Sequence, residues 1–370
     1  MAETSVLDDL NMIGRIDKGN MLSYCLEAAK HYENAVRIAE GITVSYPNPN
    51  LIIVAGMGGS ALGGEFLKDW AQDTLYIPIE TLRDYNLPAF VNEKTLAFIV
   101  SYSGETEETL NCFSEAVKRK CMVVCICSAG NLLAVAEKLQ KPTFQIPRGM
   151  PPRAAFPYLF TPMLIFLEKI GLIYNAKTEI SEAIEVLRQI SSENAPEKPL
   201  NENFSKRIAV KINGTVPIIY GFRFYRSVAQ RFKQQFNENS KNPSFWNVFP
   251  ELNHNEIVGW EAAGQLAKCF SAIIIRDIHE PEEIKCQIEK TKEILEGNVR
   301  GICEVWGRGA GKLAKMLSTA LIGDFASVYL ALLRGVDPTP VESISILKRR
   351  MADAGLKNRA VRNLQSLCNK

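Results

Sequence analysis

The stretch Phe98-Ile-Val-Ser-Tyr-Ser-Gly-Glu-Thr-Glu-Glu-Thr109 decides how the rest of the chain is read. An apolar run of the kind found in a strand covered on both faces passes into a hydroxyl-rich turn, and the turn opens a helix. Ser101, Ser103 and Thr106 offer hydroxyl donors, Gly104 permits a tight backbone, and the first amides of the new helix point the same way. That combination suits an anion such as phosphate without any lysine. The competing reading is that Ser103 or Thr106 caps the helix while Glu105, Glu107 and Glu108 complement its dipole. Those carboxylates repel a bound dianion unless they point away.

Upstream lies a second turn of the same kind. Leu51-Ile-Ile-Val-Ala-Gly56 is a continuous apolar run, and Met57-Gly-Gly-Ser-Ala-Leu-Gly-Gly64 leads from it into a helix. Further strands are expected at 75–80, 95–101, 121–128 and 143–146, with helices at 110–119 and 131–139. A helix over 17–40 precedes them, and helices over 156–171 and 179–190 follow. The polar, proline-containing segment 191–203 reads as a linker. Beyond it the alternation resumes, with strands at 216–220, 269–276 and 299–306 and helices at 224–239, 281–295, 312–333 and 341–354. The expectation is a doubly wound α/β protein of two similar parallel-sheet halves. Residues 1–190 form the half that carries the phosphate-binding turns, 191–203 the linker, and 204–370 the second half.

Composition excludes several classes. In 370 residues, 46% hydrophobic content supports sizeable cores rather than disorder. Forty-three Lys plus Arg against 41 Asp plus Glu leave a net charge of +2 with no long basic run, so no nucleic-acid partner is expected. The N-terminus is acidic where a signal peptide is basic, and no apolar run is read as a membrane span; a soluble, cytoplasmic protein is expected. Nine cysteines without zinc spacing, three of them in Cys121-Met-Val-Val-Cys-Ile-Cys127, read as reduced core thiols.

Gly56-Met-Gly-Gly-Ser-Ala61 also fits the loose dinucleotide fingerprint, with Glu80 where a ribose-binding acid belongs, so a nicotinamide or flavin oxidoreductase is a rival reading. Gly58, Gly59 and Ser60 equally form a nest for an isolated phosphate. A monophosphate gripped between two strand ends uses both turns, whereas a dinucleotide has no need of Ser101, Ser103 and Thr106.

Gly56-x-Gly-Gly-Ser60 followed by Ser101-x-Ser-Gly-x-Thr106 resembles a sugar isomerase (SIS) domain. Pro152-Arg-Ala-Ala-Phe-Pro157, Phe236-Asn-Glu-Asn239, Asn253-His-Asn-Glu-Ile-Val-Gly259 and Pro340-Val-Glu-x-Ile-x-x-Leu-Lys348 extend the likeness. Together they resemble the bifunctional phosphoglucose/phosphomannose isomerases. The resemblance implies two SIS halves and the interconversion of glucose 6-phosphate or mannose 6-phosphate with fructose 6-phosphate through an enediolate. It implies no cofactor, no metal, and a phosphorylated hexose held by Gly59, Ser60, Ser101, Ser103 and Thr106.

It also implies roles for four further residues. Glu238 matches the base that takes the C2 proton and returns it at C1, where composition alone suggests a solvated helix-end carboxylate. His254, one of three histidines, matches the group that opens the sugar ring and enters the site of the neighbouring subunit in a homodimer. Lys348 matches a lysine that assists ring opening, against its plain reading as part of a solvated basic helix end. Arg153 matches the arginine that stabilises enediolate charge. Thr339 is a candidate for the hydroxyl that accommodates both C2 epimers. A non-catalytic phosphosugar sensor would keep the turns and have no use for Glu238, His254 and Lys348. A zinc-dependent isomerase is disfavoured by three widely spaced histidines.

Overall fold

Strand formation follows the apolar runs. In this computed structural model, which describes residues 4–42, 44–353, 356–365 and 367, the strands in chain order are β1 (Leu51–Ala55), β2 (Ile79–Leu82), β3 (Thr95–Val100), β4 (Met122–Cys127), β5 (Thr143–Gln145), β6 (Val216–Phe222), β7 (Phe245–Phe249), β8 (Phe270–Arg276) and β9 (Gly301–Trp306). They form two sheets, β2-β1-β3-β4-β5 and β7-β6-β8-β9, with every neighbouring pair parallel. The helices are α1 (Leu10–Ile16), α2 (Met21–Leu26), α3 (Ala28–Glu40), α4 (Gly59–Ala71), α5 (Glu107–Lys118), α6 (Gly130–Lys138), α7 (Phe156–Lys169) and α8 (Ala176–Glu193). They continue with α9 (Phe204–Ile212), α10 (Arg226–Glu238), α11 (Glu282–Leu295), α12 (Lys312–Leu333), α13 (Glu342–Asp353) and α14 (Leu356–Gln365).

By internal contacts the chain divides into two units, and the division differs from the one read in the sequence. Residues 30–178 and 341–370 form the first-sheet unit, and residues 1–29 and 179–340 the second-sheet unit. The segment 191–203 is therefore not a tether. The Tyr329 hydroxyl donates to the Asn194 carbonyl, the Asn194 side chain accepts from the Ser205 amide, and Asn203 caps α9 by accepting from the Lys206 amide. Proline and polarity marked a turn between packed helices.

In the first-sheet unit β3 and β4 are buried throughout, which is why they read as continuous apolar runs rather than alternating ones. One face packs on α5 and α6, through Leu110, Phe113, Leu132 and Val135, with Ala360 and Leu364 of α14 added. On the other side α7 packs on α4, where Phe156 and Phe160 meet Phe66 and Phe166 stands edge-on to Phe98.

The second-sheet unit is built around α12. This 22-residue helix is long and apolar enough to span a membrane by composition, a run the sequence reading passed over. It is a core helix: 89% of its most apolar window is buried, against α9 and α10. Arg231 and Gln235 of α10 fix it through Asp324, the guanidinium donating to both carboxylate oxygens at 2.9 and 2.6 Å.

Other elements shifted. The helix expected over 17–40 is broken, since Asn20 sits at φ +52° and the Asp17 carboxylate accepts from the Met21 and Leu22 amides, starting α2 afresh. The strand expected at 75–80 begins only after Pro78, which has no amide to pair. α9, β7 and α14 were not anticipated, and the expected end of the helix of 341–354 at Ala354 lies outside the described residues.

Candidate active site

The two sequence turns meet at the C-terminal ends of β1 and β3, the point in a 2-1-3 strand order where ligands are received. Gly56 makes the approach possible, because a Cβ there would lie 2.8 Å from the Val100 carbonyl oxygen. The Tyr102 amide donates to Ser60 Oγ at 3.3 Å, joining one turn to the other. Ser101 Oγ donates to Thr106 Oγ1 at 3.0 Å and accepts from the Gly104 amide, and Ser103 Oγ accepts from the Glu105 amide at 3.2 Å. Gly104 is required at φ +68°, where a Cβ would fall 1.8 Å from the Ala129 carbonyl oxygen.

The capping alternative fails on this geometry. Thr106 is the residue at the head of α5 and Gly58 the residue at the head of α4, and neither end receives a side-chain cap. Two helix N-termini thus meet at one crevice with hydroxyls among them. The expected repulsion is partly disposed of as well: Glu105 turns toward α6, where both oxygens accept from Asn131 Nδ2 and one from the Asn131 amide at 2.8 Å. Glu108 hydrogen-bonds Tyr85, whose phenol is raised by partial burial and by Glu108 and Glu107 beside it.

Arg153 belongs to the same crevice. A Cβ on Gly59 would come within 3.6 Å of its Cα, and Arg153 is buried, 4% exposed. Tyr102 positions this loop: its hydroxyl donates to the Pro147 carbonyl at 3.1 Å and accepts from the Met150 amide at 2.8 Å. Sequence reading had passed over Tyr102 as the unlabelled residue between two serines. Lys348 lies in the same unit on α13, a helix with no buried side chain, and is exposed.

Glu80 does not sit where a ribose-binding acid would. It lies inside β2, paired across to Ile53, and both oxygens accept from Lys68 at 3.2 Å. The dinucleotide reading loses its second element.

In the second-sheet unit Glu238 ends α10, half-buried, held by the Arg231–Asp324 pair and by Asn239, whose Nδ2 donates to Ser327 Oγ. Lys241 donates to the carbonyls of Glu238, Asn239 and Pro338, so the segment with Thr339 is held beside the end of α10. Thr339 itself is packed against Gly19, where a Cβ would lie 2.1 Å from its Oγ1. Lys241 was not singled out in the sequence; a lysine within a Ser-Lys-Asn turn reads as solvated.

His254 ends the 3-10 turn Glu251–His254 after β7 and is exposed. Its neighbours are pinned: Asn253 bonds Thr291 and Gln287 of α11, and Glu256 accepts from Tyr220 at 2.6 Å and Asn247 at 2.7 Å. α10 leaves the C-terminal end of β6 and runs back, so Glu238 stands at the strands' N-terminal edge, where Asn242 and Ser244 bond the Thr215 and Pro217 carbonyls. His254 follows the C-terminal end of β7. The segment then folds back beside α11, to which Asn253 is tied, so Glu238 and His254 are carried by different elements, the end of α10 and the turn against α11.

Among the described residues no three His, Cys, Asp or Glu side chains gather as a metal site. Burial pushes the Cys112 and Cys127 thiols up to about 12, as inert core groups.

Comparisons with known proteins place the chain in a family. Residues 47–169 match the SIS domain family, and residues 201–351 match the bacterial phospho-glucose isomerase C-terminal SIS domain. The bifunctional phosphoglucose/phosphomannose isomerase of Caldicellulosiruptor bescii is 38% identical over 87% of this chain and 96% of its own. The D-glucosamine-6-phosphate 4-epimerase of Sulfolobus acidocaldarius is 33% identical over 71% and 82%. A glucose-6-phosphate isomerase-like protein of Thermus thermophilus shares the fold, with TM-score 0.58 at 19% identity over 90% of this chain and 98% of that one. The two SIS matches and the near full-length likeness place this chain in the bifunctional phosphoglucose/phosphomannose isomerase family.

Proposed function

We propose that the chain is an aldose–ketose isomerase that interconverts glucose 6-phosphate and mannose 6-phosphate with fructose 6-phosphate. One observation carries the reading: two uncapped helix N-termini and the hydroxyls of Ser60, Ser101 and Thr106 meet at one strand-end crevice, a neutral cradle for a phosphate dianion. Gly59 and Ser103 complete the cradle.

In the proposed mechanism Glu238 takes the C2 proton of the open-chain aldose; the electron pair forms the C1–C2 double bond, the C1 carbonyl becomes the O1 oxyanion, and the proton shed by the C2 hydroxyl is the one that O1 gains. The same carboxyl then delivers its proton to C1 as the C2 oxygen becomes a carbonyl, so no atom is gained or lost. Arg153, permanently charged and buried, stabilises the enediolate. His254 and Lys348 open the ring by passing protons between the ring oxygen and the C1 hydroxyl. Proton transfer through side chains assigns no step to a metal or organic cofactor. Glu238 at the end of α10 and His254 in the turn tied to α11 hang from different elements, which supports a homodimer in which the partner supplies the histidine; the cytoplasm is the proposed location.

The test is an assay in EDTA with glucose 6-phosphate, mannose 6-phosphate and glucosamine 6-phosphate. Formation of fructose 6-phosphate from the first two is expected. Binding without turnover would leave a phosphosugar sensor. Inversion at C4 of glucosamine 6-phosphate with no ketose formed would move the chemistry to that of the epimerase relative. A response to NAD(H) instead would revive the oxidoreductase.

A further inference from the structure

The two sheets repeat one winding. In β2-β1-β3-β4 and in β7-β6-β8-β9 the first strand lies inside, the second outside it, and the third and fourth on the other flank. β6 thus stands for β1, β8 for β3 and β9 for β4. Gly221, near the end of β6, compares with Gly56, which directly follows β1: at each an added Cβ would strike backbone, the Tyr225 carbonyl oxygen at 2.6 Å in the one and the Val100 carbonyl oxygen at 2.8 Å in the other. Four residues beyond these glycines come Tyr225 and Ser60. Directly beyond the third strands come Asp277 and Ser101.

So the strand ends that lead to the hydroxyls of Ser60 and Ser101 in the first-sheet unit lead to a phenol and a carboxylate in the second-sheet unit. There Asp277 Oδ2 accepts from the Tyr225 hydroxyl at 2.7 Å, and Oδ1 accepts from Lys315 Nζ at 2.9 Å and from the His279 amide at 2.7 Å. Lys315 comes from the first turn of α12, the helix after β9. Gly307, which follows β9, leaves room for the phenol, since a Cβ there would lie 1.9 Å from the Tyr225 hydroxyl oxygen. The pair is buried, with side-chain exposures of 8% for Lys315 and 3% for Asp277.

We propose that Asp277 is a resident anion, its carboxylate filling the strand-end crevice that corresponds to the phosphate crevice of the first-sheet unit, with Lys315 and Tyr225 gripping it as donors grip a bound anion. The comparison rests on the phosphate assignment made above; the occupancy of this crevice by Asp277 does not. Burial acts to raise the Asp277 carboxyl, but the His279 amide, Lys315 and Tyr225 outweigh it and hold it below the ordinary carboxylate range. Burial and the neighbouring carboxylate push the Tyr225 phenol up, keeping its proton in place as a donor. A chain built this way offers one phosphosugar crevice, because the second is closed by its own side chain.

Removing the carboxylate empties the crevice and leaves the Lys315 charge buried without its partner, a loss that a small external anion can restore. Asp277→Gly should therefore unfold at lower temperature than the parent in chloride, and formate at matched ionic strength should raise its midpoint by ~5 °C, while the parent responds to the two salts alike. Asp277→Gly combined with Lys315→Met should lose the formate response. If Asp277→Gly folds too poorly to melt, the refolded yield in formate against chloride is the reading, and equal yields, or no yield in either, overturn the proposal. Equal midpoints in the two salts overturn it too, as does a formate effect that survives Lys315→Met. Stabilisation of the parent by fructose 6-phosphate, measured beside it, should vanish in Ser101→Ala; if it persists, the phosphate assignment fails while the formate result still stands by itself.

Discussion

At Glu238 the sequence and the structure make different contributions. A glutamate near the end of a polar helix is ordinarily a solvated group, and the family motif Phe236-Asn-Glu-Asn239 is what singled it out. The structure adds that α10 is locked to α12 by a bidentate Arg231–Asp324 pair and that Lys241 closes over its last carbonyls, so the carboxylate hangs from a fixed point. The phosphate grip is assigned to neutral donors at the other sheet, so Glu238→Gln should leave substrate affinity nearly intact. Turnover should fall by ~10²-fold to 10⁴-fold or more if, as proposed, one group performs both proton transfers. The decrease should be equal for glucose and mannose 6-phosphates, which share an enediolate. Solvent deuterium entering fructose 6-phosphate at the parent rate in this variant would show that the base lies elsewhere.

At the scale of elements, the strand–turn–helix units proposed to hold the phosphate were legible because β1 and β3 are buried on both faces and their turns need glycine. β7 was not, because Phe245 is exposed and Trp246, Asn247 and Val248 are half-buried, so this edge strand lacks the continuous apolar run of its neighbours. The loop carrying His254 hangs from it, and the motif was therefore seen without its support. Tyr102 escaped notice for a related reason: its two hydrogen bonds reach residues 45 and 48 positions away, which no local pattern encodes. These bonds make a prediction for the loop that bears Arg153. Tyr102→Phe leaves the Met150 amide without its acceptor and should destabilise the unit by ~1–3 kcal/mol. With the loop loosened, kcat should drop more than KM rises, because the charge is needed most as the enediolate forms. An unchanged melting midpoint together with an unchanged kcat would mean that the tie is dispensable.

For the whole molecule, the question is where one complete set of catalytic groups is found. Within the second-sheet unit Glu238 ends α10 and His254 lies in the turn that Asn253 ties to α11, so the two proposed groups hang from different elements. In the proposed two-fold dimer each histidine would be lent to the partner's glutamate. The consequence can be followed arithmetically. Mix Glu238→Gln chains with His254→Ala chains, both inactive alone, and let them exchange. Random reassociation makes about half of the dimers mixed, and each mixed dimer has one site with both native groups and one with neither. Activity should return to about a quarter of the parent value per chain, on a time course set by subunit exchange. Were both groups drawn from the same chain, every site in every mixed dimer would still lack one of them, and no activity would return however completely the subunits exchanged. Mass spectrometry of the intact dimers shows whether exchange occurred, so an inactive mixture containing mixed dimers would rule out the lent histidine.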